Sequence, residues 1–196
     1  MTSNQPIAVL TAIPEEIAAF GAHLVETGRE TVAGISIHHG TLDGRAVVLA
    51  ESGIGKVNGA LAATVLFDRF RCGGIIFSGV AGGLDPDLAV GDLVIATEVI
   101  QHDYGAMVQG ALEVYRAGAL PFPQFRGELS LKANPALIAT ARTALTGARF
   151  GTILTGAPIS AAAGRGSGCS PALAARPSTW KAARSRRWPR RSAYLG

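Results

Sequence analysis

Several features that would narrow the function at once are missing from the 196-residue sequence. No apolar run reaches the ~18 residues that a membrane-spanning helix needs, and the first residues lack the basic start and apolar core of a signal peptide. The two cysteines, Cys72 and Cys169, are too few for a disulfide framework or a cysteine-based metal site. With 48% hydrophobic and 16% charged residues, we expect a globular, cytoplasmic protein.

Phosphate-cradling glycine patterns are also missing, although the chain has two glycine-rich segments. Ser52–Lys56 reads Ser-Gly-Ile-Gly-Lys, and Ser78–Gly83 reads Ser-Gly-Val-Ala-Gly-Gly. Neither fits G-x-x-x-x-G-K-[ST] or G-x-G-x-x-G, the spacings with which backbone amides surround a triphosphate or a dinucleotide. The sequence therefore argues against a site for either ligand.

Acidic residues are absent from the last part of the chain. The first 150 residues hold 10 of the 18 Lys+Arg and all 14 Asp+Glu, so they carry a net charge of −4, whereas residues 151–196 carry +8. The basic stretch 178–196 also contains Trp180 and Trp188. It is interpreted either as a nucleic-acid arm or as a disordered tail.

Short apolar runs alternate with helical patterns up to about residue 156, which is typical of an α/β protein. We predict one α/β domain over residues 1–156, with a mixed central sheet flanked by helices, followed by a basic tail over 157–196. The predicted strands cover 7–13, 35–41, 45–51, 74–77, 88–97 and 150–154, and the predicted helices start at Pro14 or cover 59–70 and 135–145. Residues 102–127, which are rich in aromatic side chains, are predicted to be a loop.

Three polar or glycine-bearing segments each follow a predicted strand: Ala12–Glu16, Ser52–Lys56 and Ser78–Gly83. The run Gly74–Phe77 is predicted to be a strand buried on both faces. If these strands are parallel neighbours, the three segments converge on the sheet edge where α/β proteins bind ligands. Glycines in such a segment let backbone N–H groups approach a ligand closely, although an ordinary turn is the alternative.

These segments resemble the methylthioadenosine/S-adenosylhomocysteine nucleosidases of the purine nucleoside phosphorylase superfamily. The resemblance covers roughly residues 6–156 and rests on the motifs at 7–16, 51–58, 79–84, 90–92 and 101–103. It implies hydrolysis of the bond between ribose and adenine in methionine salvage, without metal or organic cofactor, by a homodimer. It also implies a purine nucleoside as the small-molecule ligand and no membrane partner.

The resemblance implies site residues as well. Glu16 corresponds to the carboxylate that orients the attacking water, although a helix-start glutamate stabilised by the dipole is the alternative. The segment containing Ser78, Val80, Ala81 and Gly82 corresponds to the lining of the purine and ribose pocket, with Val80 where many relatives have a hydroxyl residue. Ile54 corresponds to another lining position, for which ordinary core packing is the alternative. The aromatic residues of 104–125 could cover the alkylthio group, and His102 and Asp103 are predicted to be structural or interfacial.

Two family segments are missing after Gly156: one whose Glu holds the ribose hydroxyls, and one whose Asp protonates adenine. Plausible codons for Pro177–Ala182, read one base out of register, encode Val-Asp-Met-Glu-Gly, and permitted codons for 183–196 continue coherently. We therefore interpret the tail as a frame-shifted translation, with the slip within residues 157–169. A tail of this kind is expected to be poorly ordered or loosely docked, and the chain to be impaired.

Two alternatives stay open from the sequence. The first is another purine-nucleoside hydrolase or a phosphorylase of the same superfamily. A phosphorylase needs cations around phosphate, and within the first 100 residues the Lys and Arg are Arg29, Arg45, Lys56, Arg69 and Arg71, so hydrolysis is favoured. The second is a nucleic-acid or acidic-partner binder that uses residues 176–191.

Overall fold

The computed structural model describes residues 5–120, 122, 128–157 and 192–195, and the chain divides into two compact units, Met1–Val80 and Ala81–Gly196. The strands are β1 (Ile7–Thr11), β2 (Val25–Val32), β3 (Ile35–Leu42), β4 (Arg45–Glu51), β5 (Gly74–Phe77), β6 (Ala81–Gly83), β7 (Val94–Gln101), β8 (Gly105–Val108), β9 (Ala111–Val114), β10 (Leu131–Lys132), β11 (Arg149–Thr155) and β12 (Ser192–Leu195). The helices are α1 (Pro14–Gly21), α2 (Lys56–Asp68) and α3 (Pro135–Ala144). No helix in these described ranges is long and apolar enough to cross a membrane.

The first unit is built on a five-stranded sheet with the order β2-β3-β4-β1-β5. Strand β1 pairs in parallel with β4 on one side and with β5 on the other, whereas β2, β3 and β4 form an antiparallel meander. Because β1, β4 and β5 run in the same direction, Thr11, Glu51 and Phe77 end at one edge of the sheet. This part of the sheet positions the candidate site.

Turn chemistry explains the meander. Asp43 and Gly44 connect β3 to β4 with φ angles of 48° and 77°, the left-handed conformation that a two-residue hairpin turn of this kind requires. Ala33 and Gly34 connect β2 to β3 in the same way, with φ angles of 52° and 80°. Alanine is an unusual first residue for such a turn, and so the sequence analysis did not anticipate β2 or its turn.

Apolar side chains pack on both faces of this sheet. On one face Ala8, Leu10, Ile37 and Ala50 pack with Ala62 and Leu66 of α2. On the other face Val9, Val47 and Leu49 pack against partly buried side chains. These include Ile17 and Phe20 of α1 and Leu24, which follows α1. Cys72 is buried within the first of these clusters, and burial raises the pKa of its thiol to about 11.

The second unit contains a five-stranded sheet with the order β10-β7-β11-β12-β6 and a separate hairpin of β8 and β9. Strand β11 pairs in parallel with both β7 and β12, and β10 and β6 are antiparallel to their neighbours. Helix α3 begins with a side-chain cap, because Oδ1 of Asn134 accepts hydrogen bonds from the N–H groups of Ala136 and Leu137. Ile100 and Leu154 form a small buried cluster with Leu84 and Leu129.

The predicted α/β class with mixed sheets is confirmed, and so are α1, the β3–β4 hairpin, α3 and β11. The prediction named one central sheet, whereas the described strands form two five-stranded sheets and the two-stranded sheet of β8 and β9. Helix α2 begins at Lys56, three residues before the predicted start.

Three predictions were wrong in detail. Strand β5 lies at the end of the strand order, with Ile76 and Phe77 each 46% exposed, so it is not buried on both faces. The strand predicted over 88–97 begins only at Val94, because the chain turns through 85–92 and Gly91 has a φ of 98°. The loop predicted over 102–127 contains β8 and β9, joined through Gln109 and Gly110 in the left-handed region.

Part of the predicted tail also forms regular structure. Ser192–Leu195 pairs as β12 between β11 and β6, within the tail that was expected to be poorly ordered or loosely docked. Strand pairing uses backbone groups, so a segment without apolar periodicity can still complete a sheet. Residues 158–191, on which the frame-shift interpretation and the nucleic-acid alternative rest, lie outside the described residues, and so do Trp180 and Trp188.

Candidate active site

The candidate site lies at the carboxyl ends of β1, β4 and β5 in the first unit, and we call its segments 12–16, 52–56 and 78–80 the rim. Backbone hydrogen bonds hold the rim to the sheet: the Ser52 N–H donates to the Thr11 carbonyl over 2.9 Å, and the Ser78 N–H donates to the Leu10 carbonyl over 3.0 Å. The Ser52 hydroxyl is also within hydrogen-bond distance of the Thr11 carbonyl, at 3.1 Å. The predicted convergence is therefore observed for these residues, whereas 81–83, the rest of the third predicted segment, belong to the second unit.

Glu16 is the carboxylate that the fold brings to this rim. It lies in the first turn of α1, which begins at Pro14 without a side-chain cap. Its Oε2 atom accepts a hydrogen bond from the Ala12 N–H, and its Oε1 atom accepts one from the Val80 N–H, each over 2.9 Å. Glu16 is half-buried, whereas its neighbour Glu15 is exposed.

This geometry leaves the Glu16 carboxylate able to accept further hydrogen bonds. An ionised carboxylate offers about four lone-pair sites on its two oxygens, and one backbone amide occupies one site on each oxygen. The arrangement suits a group that orients and polarises a water molecule.

Gly79 contacts Glu16 closely, and the sequence analysis did not single it out. A Cβ built on Gly79 would lie 2.8 Å from Oε1 of Glu16 and 3.2 Å from both Cδ and Oε2. In the sequence Gly79 is only a glycine that directly precedes Val80, the residue whose N–H donates to Glu16. Nothing local in the sequence says that Glu16, 63 positions earlier, is the group that meets it.

The other predicted site residues are distributed between the two units. In the first unit Ser78 is half-buried, Val80 is 75% exposed and Ile54 is 64% exposed, so Ile54 is not a core residue. The Ile54 carbonyl accepts a hydrogen bond from the Asn58 side chain. Ala81 and Gly82 belong to β6 of the second unit, are exposed, and pair with Leu195 and Tyr194 of β12.

The aromatic residues of 104–125 were considered as a cover for the ligand, and Tyr104 and Tyr115 have structural contacts within the second unit. Tyr115 is buried and its hydroxyl contacts Glu113, while the Tyr104 hydroxyl donates to the Ala119 carbonyl. The Asp103 carboxylate accepts hydrogen bonds from the side chain of Gln101 and the N–H of Ala157. Phe125 lies outside the described residues.

The fold and the rim together define a class. Open α/β sheets bind their ligands at the carboxyl ends of the strands, and here that edge carries a carboxylate held by two backbone amides. The class is thus an α/β protein whose candidate ligand site carries a carboxylate.

Comparison with known proteins identifies the family. The chain belongs to the phosphorylase superfamily, whose family model matches residues 6–164. A curated relative, the 5'-methylthioadenosine/S-adenosylhomocysteine nucleosidase of Mycobacterium bovis, is 45% identical over 160 residues. That match covers 82% of this chain and 60% of the relative, so the chain spans well under two thirds of the relative's length.

Solved structures are also similar to most of the chain. A 5'-methylthioadenosine/S-adenosylhomocysteine nucleosidase from Colwellia psychrerythraea in complex with adenine matches with a TM-score of 0.67 and 33% identity, over 78% of this chain and 62% of that one. The futalosine hydrolase of Helicobacter pylori matches with a TM-score of 0.65 and 28% identity, over 78% of this chain and 64% of that one.

Proposed function

We propose that this chain carries the water-activating part of a purine-nucleoside N-glycosidase. The reaction is hydrolysis of 5'-methylthioadenosine or S-adenosylhomocysteine at the bond between ribose and adenine, which serves methionine salvage. The single observation that carries the proposal is the Glu16 carboxylate, fixed at the rim by the Ala12 and Val80 amides.

The chemistry explains why a fixed carboxylate is needed. Breaking an N-glycosidic bond passes through an oxocarbenium-like state, so a base must orient the attacking water while an acid protonates the departing purine. Glu16 takes the first role. Ile54, Ser78 and Val80 of the first unit are proposed to line the nucleoside site.

Hydrolysis is favoured over phosphorolysis by the contacts of the cationic residues. Of the five Lys and Arg within the first 100 residues, Arg29 contacts Glu26, Arg69 contacts Glu30 and Arg71 contacts Asp68. These guanidinium groups are engaged by carboxylates of their own unit. A phosphate-binding site would need cations that are not neutralised in this way.

The choice of nucleoside rests on sequence similarity more than on the fold. The nucleosidase and futalosine hydrolase structures match with nearly equal TM-scores of 0.67 and 0.65. The curated relative with 45% identity is a nucleosidase for methylthioadenosine and S-adenosylhomocysteine, which favours these substrates. A different purine nucleoside is the second candidate.

The chain with its present sequence, called the written chain below, is proposed to be an impaired enzyme, because residues 151–196 contain no Asp or Glu. The carboxylates that would hold the ribose and protonate adenine are then missing. The family match ends at residue 164, inside the interval 157–169 in which we place the frame slip, and this supports the interpretation. The protein is also proposed to be a cytoplasmic homodimer with a small-molecule ligand and no nucleic-acid partner.

Adenine release from 5'-methylthioadenosine tests this proposal in the written chain and in a chain with the reading frame restored after residue 156. We expect release by the restored chain and little by the written one. In the restored chain Glu16→Gln should lower kcat by about 10²–10⁴-fold, the usual contribution of a general base. Sequencing the DNA across codons 150–180 tests the frame slip directly.

Glu15→Gln is the matched control, because Glu15 is adjacent in the same helical turn but exposed. It should leave adenine release unchanged. Full activity in the written chain would show that the missing acids are supplied elsewhere. Full activity of the restored Glu16→Gln variant would remove Glu16 from the mechanism.

A further inference from the structure

Glu16 reaches both amides only because residue 79 has no side chain. The Ala12 N–H lies at the end of β1 and the Val80 N–H lies beyond β5, and the carboxylate bridges them with one oxygen each. A Cβ on residue 79 would occupy the space of the carboxylate, at 2.8 Å from Oε1 and 3.2 Å from Cδ. We propose that Gly79 is a positioning residue. Because it has no side chain, the Glu16 carboxylate can accept hydrogen bonds from both the Ala12 and the Val80 N–H.

A side chain at position 79 would disturb the Glu16 carboxylate and not the backbone of Gly79 itself. Gly79 is not among the glycines with positive φ, so alanine can adopt its backbone conformation without strain. The atoms that a Cβ would meet are the far end of the flexible Glu16 side chain, and no backbone atom is among its three nearest neighbours. An alanine at this position would therefore displace the carboxylate and leave the sheet in place.

Losing this position changes what Glu16 can do. With each oxygen tied to one amide, the carboxylate cannot rotate freely, and its remaining lone pairs keep fixed directions. A displaced carboxylate keeps its charge but loses at least one of the two hydrogen bonds. For a base that orients water, misplacement by about 1 Å can cost about 10²-fold in rate.

Amide exchange with solvent, measured by NMR on the full written chain, tests the positioning without any enzyme assay. Gly79→Ala and Glu16→Gln should each raise the exchange rate of the Val80 or the Ala12 N–H by roughly tenfold or more, because an amide that loses its partner is open to water. In a double variant that carries Gly79→Ala and Glu16→Ala, the glycine change should add little to the effect of Glu16→Ala, because the carboxylate that the new Cβ would displace is already absent.

Gly21→Ala is the matched control. It adds a Cβ to α1, the helix that carries Glu16, at a position where the Cβ would meet no atom within 4 Å. It should leave both amide exchange rates unchanged. Exchange rates of Ala12 and Val80 that do not respond to either Gly79→Ala or Glu16→Gln would overturn the inference. So would fully additive effects in the double variant.

The catalytic consequence rests on the proposed function and is measured separately, in the frame-restored chain. Gly79→Ala should lower kcat for adenine release by about 10–10²-fold with KM nearly unchanged, because positioning acts on the reacting state. If amide exchange responds as expected but no chain releases adenine, the proposed function fails and the positioning role stands. If adenine is released and Gly79→Ala leaves kcat unchanged, the catalytic role of the positioning is wrong.

Discussion

At the scale of single residues, two buried threonines show how a hydrogen-bond partner changes what a buried hydroxyl contributes to stability. Thr11 ends β1 and is fully buried, and its hydroxyl oxygen has no hydrogen-bond partner among the residues that the structure describes. Thr152 in β11 is equally buried, and its hydroxyl donates to Oε1 of Glu98 over 2.8 Å. A buried polar group without a partner costs free energy, whereas one bonded to a charged group stabilises the fold.

Replacing each threonine with isosteric valine should therefore have opposite effects. Thr11→Val should leave the free energy of unfolding unchanged or raise it by up to about 1 kcal/mol, because it removes an unsatisfied hydroxyl. Thr152→Val should lower it by about 1–2 kcal/mol, because Glu98 loses a donor. Urea unfolding of both variants measures the two changes.

The pair of variants provides its own control, since valine has nearly the same shape in both sites. A loss of stability in Thr11→Val similar to that in Thr152→Val would mean that the Thr11 hydroxyl has a partner. It would also mean that the hydrogen bonds at the end of β1, which leads into the rim, differ from those described above.

At the scale of elements, one carboxylate links three strands of the second unit. Glu98 of β7 accepts hydrogen bonds from Lys132 of β10 over 2.5 Å and from Thr152 of β11 over 2.8 Å. The hydrogen bond from Lys132 is the largest cause that holds the pKa of Glu98 at about 2, with Ser130 and Thr152 lowering it further and burial opposing them. The side chain of Lys132 is 60% exposed, so solvent screens part of this interaction.

This link should make the stability of the second unit depend on pH. The pKa of Glu98 is lower in the folded chain, about 2, than its ordinary value of 4.5, so the folded state favours the ionised form. Its stabilising contribution is complete above about pH 4.5 and is lost as the pH falls toward 2. Glu98→Gln should be less stable than the unmodified chain at neutral pH and should lose less stability on acidification.

Urea unfolding at a series of pH values, followed by a signal from the second unit, measures this difference. Glu15→Gln, a change at an exposed glutamate in α1, is the control and should leave the pH dependence of the second unit unchanged. Parallel pH profiles for the unmodified chain and Glu98→Gln would contradict the assigned role of this carboxylate.

At the scale of the whole molecule, the two units differ in how much apolar surface their described residues bury. The first unit has two clusters on opposite faces of its sheet, with Ala8, Ile37 and Leu49 at 0–1% exposure. The described part of the second unit has a cluster of two buried residues, Ile100 and Leu154. Local opening is resisted chiefly by buried apolar contacts.

Hydrogen exchange should therefore be slower in the first sheet than in the second. We expect the amides of β1, β3 and β4 to be the most protected in the chain, and those of β7 and β11 to exchange sooner. Exchange followed by mass spectrometry on the full chain gives the comparison for each strand. Equal protection of β4 and β11 would show that the second unit is stabilised by more than its described cluster.

Signals contained within a few residues were enough to predict several elements. Pro14 with two following glutamates indicated the start of α1, Asp43-Gly44 indicated the hairpin, and the helix predicted from Pro135 is observed as α3. The sequence could also predict that three segments follow strands. Their meeting at one edge followed only if β1, β4 and β5 were parallel neighbours, which the pairing confirms.

Sequence by itself determined the α/β class, the identity of Glu16 as a candidate and the uneven charge of the chain. Those conclusions depend on local pattern or on motif similarity, which need no knowledge of distant contacts. Only the tertiary structure decided that Val80 presents its amide to Glu16, that Gly79 makes room for the carboxylate, that β5 is an edge strand and that Ser192–Leu195 is paired. Each of these depends on two segments far apart in the chain, and backbone groups that any residue carries leave no mark in the sequence to say which segments will meet.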